Sequence, residues 1–166
     1  MIAALAAQFQ ASVSLAIGLG RDVGLTVVNF FSFFTVLSNL GAALVLASIA
    51  WTSVQRPGTL TRTAGLALAC VTTAMLVTGV VYNLLLRSIE LPQGTTVPWS
   101  SEVLHVVGPV FMPVDLLVAP GLRRLSWSAL GWVLAFPLVW VAYTVVRGPC
   151  RSTLSPAVRP STRTRS

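Results

Sequence analysis

The chain has 166 residues, of which 55% are hydrophobic and 9% charged, with eleven arginines, no lysine and four acidic residues for a net charge of +7. So few charges cannot cover a water-soluble surface of this size, which excludes an ordinary soluble domain and makes the bilayer the natural solvent. The positive excess does not make a specific nucleic-acid module either, because its arginines are scattered and lack interleaved aromatics.

Five apolar runs follow one another and predict an all-α, polytopic transmembrane bundle over residues 1–149, ahead of a basic tail at 150–166. The first, residues 2–19, has the hydrophobicity of a signal-peptide core. It lacks a basic leading segment and runs almost directly into the next apolar run, so it reads as a retained helix. The second covers 27–50 and carries Ser32, Thr35 and Asn39, spaced three and four apart and therefore on one helical face. The third covers 64–86 and ends near Tyr82, Asn83 and Arg87.

The fourth run, 103–118, is the shortest and holds His105, Pro109, Pro113 and Asp115. Each proline removes a backbone donor, and the carbonyl it frees can find a partner inside protein but not in lipid, so this helix is expected in the bundle interior or kinked. The fifth covers 127–146. Trp51, Trp99 and Trp127 fall at span ends as interfacial anchors, whereas Trp132 and Trp140 lie within the last span and face lipid or pack. From Cys150 onward the sequence is polar, rich in Ser, Thr, Arg and Pro, and without apolar periodicity, which reads as disorder.

Short loops bounded by Pro and Gly make the spans antiparallel neighbours. The loops with Arg56, Arg62, Arg123 and Arg124 outweigh those with Arg21, Arg87 and Arg147, which predicts a multi-pass protein of the cell membrane with a cytoplasmic N-terminus. The arginine-bearing tail opposes that assignment. The absence of an internal repeat argues against a transporter.

This topology brings Thr35 and His105 to the same end of parallel spans, together with Tyr82, Asn83 and Arg87. A hydroxyl beside an imidazole is the pattern of nucleophilic acyl transfer. Each residue also has a packing role open to it. Ser32 and Thr35 can bond to preceding carbonyls, Asn39 can pin a neighbouring helix, and an intramembrane histidine serves either function or helix association. Glu102, three residues before His105, is a candidate to orient the ring. Asp115 lies about 15 Å further along the helix by the rise per residue, too far for an Asp–His pair; it is expected to pair with Arg123 or Arg124 or to cap backbone near the prolines, with a proton or substrate route as the alternative. One histidine and distant acids make no protein metal site, and no phosphate-binding or dinucleotide fingerprint is present, so no metal or cofactor is predicted.

The segments NFFSFFTVLSNLGAAL, HVVGPVFMPVDLL and WVAYTVVRGP resemble the Pr6Pr family of small actinobacterial integral membrane proteins. That family is in turn similar to the androgen-induced and androgen-dependent membrane proteins of animals, six-span hydrolases of fatty-acid esters of hydroxy fatty acids that use threonine and histidine. The resemblance implies Thr35 as nucleophile, His105 as general base, and a lipid-ester substrate drawn from membrane lipids. Ser32, Asn39 and Asn83 are pocket candidates, and Asn83 is a candidate to help bind an oxyanion. It also implies a sixth span, so the change of character after WVAYTVVRGP reads as a truncation or shifted frame. The competing expectation is a noncatalytic scaffold or lipid-binding protein that uses the same polar residues to hold its helices together.

Overall fold

A computed structural model describes residues 1–56, 60–87, 96–118 and 126–152, the last five of these through their backbone alone. Among the described residues every regular element is helical. Helix α1 (Ile2–Gly18) ends where Gly20 adopts φ +62°. The N–H groups of Gly20 and Arg21 then return to the carbonyls of Ile17 and Ala16 at 3.1 and 2.8 Å, a Schellman stop that a residue with a Cβ would strain. Asp22 immediately caps the next helix, α2 (Val23–Phe30), by accepting from the Leu25 N–H at 2.9 Å.

Four longer helical stretches are apolar enough to cross a bilayer: α3 (Phe34–Gln55), α4 with its continuation (Arg62–Leu86), α5 and α6 (Pro98–Val118), and α7, whose spanning part is Ala129–Arg147. At 22 residues α3 is about 33 Å long, matched to a hydrocarbon core of about 30 Å. Helix α1 is shorter, at 17 residues. Its Met1 packs with Ala42, Leu68, Met75 and Met112, residues midway along the long helices, so α1 enters the bundle to about half depth.

Helix α4 (Arg62–Val81) is capped by Thr61, which accepts from the Ala64 N–H. It continues through a π-helical turn, Tyr82–Leu86, closed by the Arg87 N–H on the Tyr82 carbonyl. Helix α5 (Pro98–Glu102) opens with proline at its first position, where the missing N–H costs nothing. It passes through a second π-helical turn, Val103–Val107, into α6 (Gly108–Val118). Helix α7 extends over Ala129–Ser152.

Small residues and buried hydroxyls let the helices approach closely. Ser38 of α3 and Thr78 of α4 share a hydrogen bond of 2.8 Å in the interior. A methyl group added to Gly79 would lie 2.6 Å from the Cβ of Pro109, so α4 and α6 cross with no room for any side chain there. Trp51, Trp99 and Trp127 sit exposed at helix ends as anticipated. The large apolar side chains left outward, such as Leu84, Leu117 and Val146, form a lipid-compatible surface.

Three sequence expectations are revised. The run 27–50 is two helices interrupted at residues 31–33, the fourth span begins at Pro98 instead of residue 103, and residues 150–152 continue α7 instead of starting the tail. Arg123 and Arg124, the expected partners of Asp115, lie outside the described residues, as does the chain beyond Ser152.

Candidate functional site

The interruption before α3 decides where Thr35 stands. Phe33 is extended (ψ 132°) and Phe34 opens the new helix, so Thr35 occupies its first turn. The first intrahelical bond runs from the Leu37 N–H to the Phe33 carbonyl at 3.1 Å, and no side chain caps the end. The backbone N–H groups of Phe34, Thr35 and Val36 therefore point out of the helix terminus, where the peptide dipoles favour negative charge.

The Thr35 hydroxyl lies 3.3 Å from Nε2 of His105, at the long end of a hydrogen bond. The other ring nitrogen, Nδ1, is 2.9 Å from the carbonyl oxygen of Ser101 and 3.3 Å from the Ser101 hydroxyl. A carbonyl only accepts, so the neutral ring carries its proton on Nδ1 and turns the Nε2 lone pair toward Thr35. Tyr82 lies flat against the imidazole, with centroids 3.8 Å apart and planes within 20°, and its phenol is 3.1 Å from the Ser101 hydroxyl. Thr35 and His105 are both half-buried.

Asn39 and Asn83 flank the pair, and the backbone explains what they do. In the π-helical turn the Gly108 N–H bonds to the Val103 carbonyl, which releases the Leu104 carbonyl from its usual helical donor. Asn39 Nδ2 donates to that Leu104 oxygen at 3.1 Å and to the Thr35 carbonyl at 2.9 Å. Pro109 has no N–H to offer the His105 carbonyl four residues earlier, and Asn83 Nδ2 donates there at 3.1 Å while also meeting Gly79 O at 2.8 Å. Both amides are thus committed to the main chain, and the carbonyl freed by Pro109 finds its partner inside the protein, as expected of a proline in a membrane helix. The expectation that Asn83 binds an oxyanion does not fit this geometry.

Two other predicted members stand elsewhere. Glu102 turns away from the ring and pairs with Arg87 at 3.1 Å, both about half exposed, while Arg87 also donates to Asn83 Oδ1 at 2.7 Å. Ser101 takes the orienting place, a residue missed in the sequence because the neighbouring carboxylate was the more obvious partner. Its i, i+4 spacing to His105 was the available signal.

Ser32 belongs to the interruption itself. Its hydroxyl donates to the Val28 carbonyl at 2.6 Å and receives Arg147, its carbonyl accepts from Trp140 Nε1 at 2.9 Å, and Asn29 Oδ1 accepts from Arg147 at 2.9 Å. Trp140 also packs edge-on against Phe34 at 5.1 Å, and Phe136 stacks on Phe34 at 5.3 Å. Trp140 thus packs, one of its two anticipated roles, while Trp132 stays exposed.

The fold and the site together define a polytopic all-α membrane bundle with a histidine-paired threonine at one end. The chain matches no protein-family model, no curated protein and no solved structure.

Proposed function

We propose that this protein is an intramembrane lipid-ester hydrolase of the Pr6Pr kind, with Thr35 as nucleophile and His105 as general base. The observation that carries the proposal is the aligned series Thr35 hydroxyl, His105 Nε2, His105 Nδ1 and Ser101 carbonyl. It has the nucleophile, base and orienting acceptor that activate a hydroxyl. The contrast with neighbouring hydroxyls strengthens it. Ser12, Thr26, Ser48, Thr52 and Thr144 all fold back onto the carbonyl four residues earlier, the usual resting place of a helical hydroxyl in an apolar setting. Thr35 instead meets a base.

The reaction follows from these groups. Nε2 takes the Thr35 proton as Oγ1 attacks the ester carbonyl, and charge collects on the carbonyl oxygen. The N–H groups of the first turn of α3 are the donors available to that oxyanion, in place of the two committed asparagines. Collapse breaks the bond to the alcohol, which leaves with the proton from Nε2. Water then gives a proton to Nε2 and attacks the acyl-threonine, releasing the acid as Thr35 regains its proton. Two of the three segments whose resemblance motivates the family reading also carry this machinery, NFFSFFTVLSNLGAAL with Thr35 and HVVGPVFMPVDLL with His105.

Arg56 and Arg62 belong to the end away from Thr35, and the positive-inside bias assigns that end to the cytoplasm. The site then opens toward the outer leaflet. Labelling of a Thr61→Cys variant from outside intact cells would reverse this orientation.

The test is hydrolysis of a medium-chain reporter ester and a hydroxy-fatty-acid ester by protein reconstituted in bilayers, alongside labelling by a serine/threonine-hydrolase probe. Wild type is expected to turn over and to label. Thr35→Ala and His105→Ala lose both signals, and Thr35→Ser keeps turnover because the hydroxyl remains. A folded wild-type protein that neither hydrolyses nor labels would return the chain to a noncatalytic role.

A further inference from the structure

Beside the Thr–His pair lies a cavity of about 540 Å³ that the proposed hydrolysis does not use. Its walls come from α1, from the α2–α3 interruption and from the end of α7. Two arginines face it, Arg21 just after the α1 stop and Arg147 on α7, with the hydroxyls of Ser12 and Thr26 nearby. The remaining lining mixes polar side chains, among them Asn29 and Thr144, with an apolar wall of Leu15, Phe30 and Phe33.

Neither arginine of this cavity has an ion-pair partner among the described residues. Arg147 donates to Ser32, Tyr143 and Asn29, all neutral oxygens, and its guanidinium lies 5.6 Å from the Tyr143 ring centroid. Of the three described acidic residues, Glu102 is paired with Arg87, the Asp22 carboxylate caps α2, and Asp115 lies on α6, which does not line the cavity. Arginine in a partly apolar membrane protein ordinarily finds an anion or a polar cavity. Here neutral groups hold Arg147 in place and fix its direction, which orders a cation for a ligand in advance.

We propose that this cavity binds an anionic amphiphile. Arg147 and Arg21 hold the head group, and the chain lies against the wall formed by Leu15, Phe30 and Phe33. The head group is a carboxylate or a phosphate, both of which offer the oxygen pair that a guanidinium fork recognises. The Schellman turn at Gly20 fixes the main chain of Arg21, which lines the cavity. The site stands apart from the hydrolase reading, because none of its binding groups is Thr35 or His105.

The experiment is equilibrium binding of radiolabelled palmitate, methyl palmitate, lysophosphatidate and lysophosphatidylcholine in uncharged detergent to the full chain carrying Thr35→Ala, so that the ester ligands are not turned over, with palmitate also measured on the wild type. The acid is expected to bind at least about tenfold tighter than its methyl ester, or lysophosphatidate tighter than lysophosphatidylcholine by the same factor, the size of a charge-assisted hydrogen bond. Preference for palmitate assigns a free fatty acid, and preference for lysophosphatidate a phosphate-bearing lipid.

Arg147→Gln is expected to weaken binding by about tenfold or more. Because Arg147 also braces the interruption before α3, Arg21→Gln provides the second reading: the Arg21 side chain makes no hydrogen bond within the described structure, so the fold keeps its contacts while the cavity loses a charge. Thr35→Ala is expected to bind as wild type does, which separates this result from any failure of hydrolysis. Equal affinity for charged and neutral ligands, or unchanged affinity in both arginine variants, overturns the proposal.

Discussion

Replacing Gly79 with alanine tests the crossing on which the position of His105 depends. The added methyl would lie 2.6 Å from Pro109 Cβ and 3.3 Å from its Cγ, and 3.6 Å from the His105 carbonyl oxygen. Carbon atoms rest about 3.5–4.0 Å apart, so α4 and α6 must separate by roughly 1 Å. The obstacle is a proline ring fixed to its own backbone and cannot rotate aside. Strain of this kind costs about 1–3 kcal/mol, and the rigid obstacle argues for the upper end. Alanine's better helix propensity returns about 1 kcal/mol, leaving a net loss of about 2 kcal/mol.

The same movement stretches the Asn83 bridge, whose amide spans the Gly79 and His105 carbonyls at 2.8 and 3.1 Å. It also draws the imidazole from a Thr35 hydroxyl already 3.3 Å away. A misplacement of about 1 Å in a reacting pair costs on the order of a hundredfold in rate. The assay is thermal unfolding in detergent by circular dichroism, with hydrolysis normalised to folded protein. Gly131→Ala is the control, since nothing lies within 4 Å of its added methyl. A Gly79→Ala protein that melts with the wild type would refute the close crossing. One that is destabilised yet fully active would break the link from Gly79 through Asn83 to His105.

Glu102→Gln is expected to change hydrolysis by less than about fivefold, because its carboxylate serves an exposed pair with Arg87 of a kind worth about 0.2–1 kcal/mol; a hundredfold loss would restore Glu102 as the orienting group. Ser101→Ala keeps the carbonyl that holds Nδ1 and removes only the hydroxyl shared with Tyr82, so a rate loss within about tenfold is expected, consistent with one neutral hydrogen bond of about 1 kcal/mol. Trp140→Phe retains an aromatic ring against Phe34 but leaves the Ser32 carbonyl without its donor, and a destabilisation of about 1–3 kcal/mol in thermal unfolding is the expected outcome. An unchanged melting temperature there would show that the interruption does not depend on α7.

What could be read from the residues was set mainly by how local its cause is. The long apolar runs declare helices without reference to anything distant, and Thr35 and His105 stand out because polar side chains are expensive in hydrocarbon. Pro98 also carried a local signal, since proline favours the first position of a helix, yet the span was expected to start five residues later. Pro109 foretold an unpartnered carbonyl at His105, though not that Asn83 would supply the donor. The interruption at 31–33 left no such mark: Phe31, Ser32 and Phe33 include neither Gly nor Pro. Its stabilising donors, Trp140 and Arg147, are more than a hundred residues away and belong to another helix.

That interruption makes an otherwise ordinary threonine chemically different. In an unbroken helix spanning 27–50, Thr35 would have had the Phe31 carbonyl within reach and its own N–H occupied by the preceding turn. Breaking the chain at residues 31–33 leaves the hydroxyl to His105 and exposes three N–H groups where the proposed hydrolysis would develop charge. Inside a membrane the break is tolerable only if the polar groups it frees are satisfied by protein. Trp140 satisfies the Ser32 carbonyl, and Arg147 ties Ser32 to Asn29. In the proposed hydrolase the last described helix therefore contributes to reactivity without touching the reacting atoms, by stabilising the backbone geometry that gives Thr35 a base and a helix terminus together.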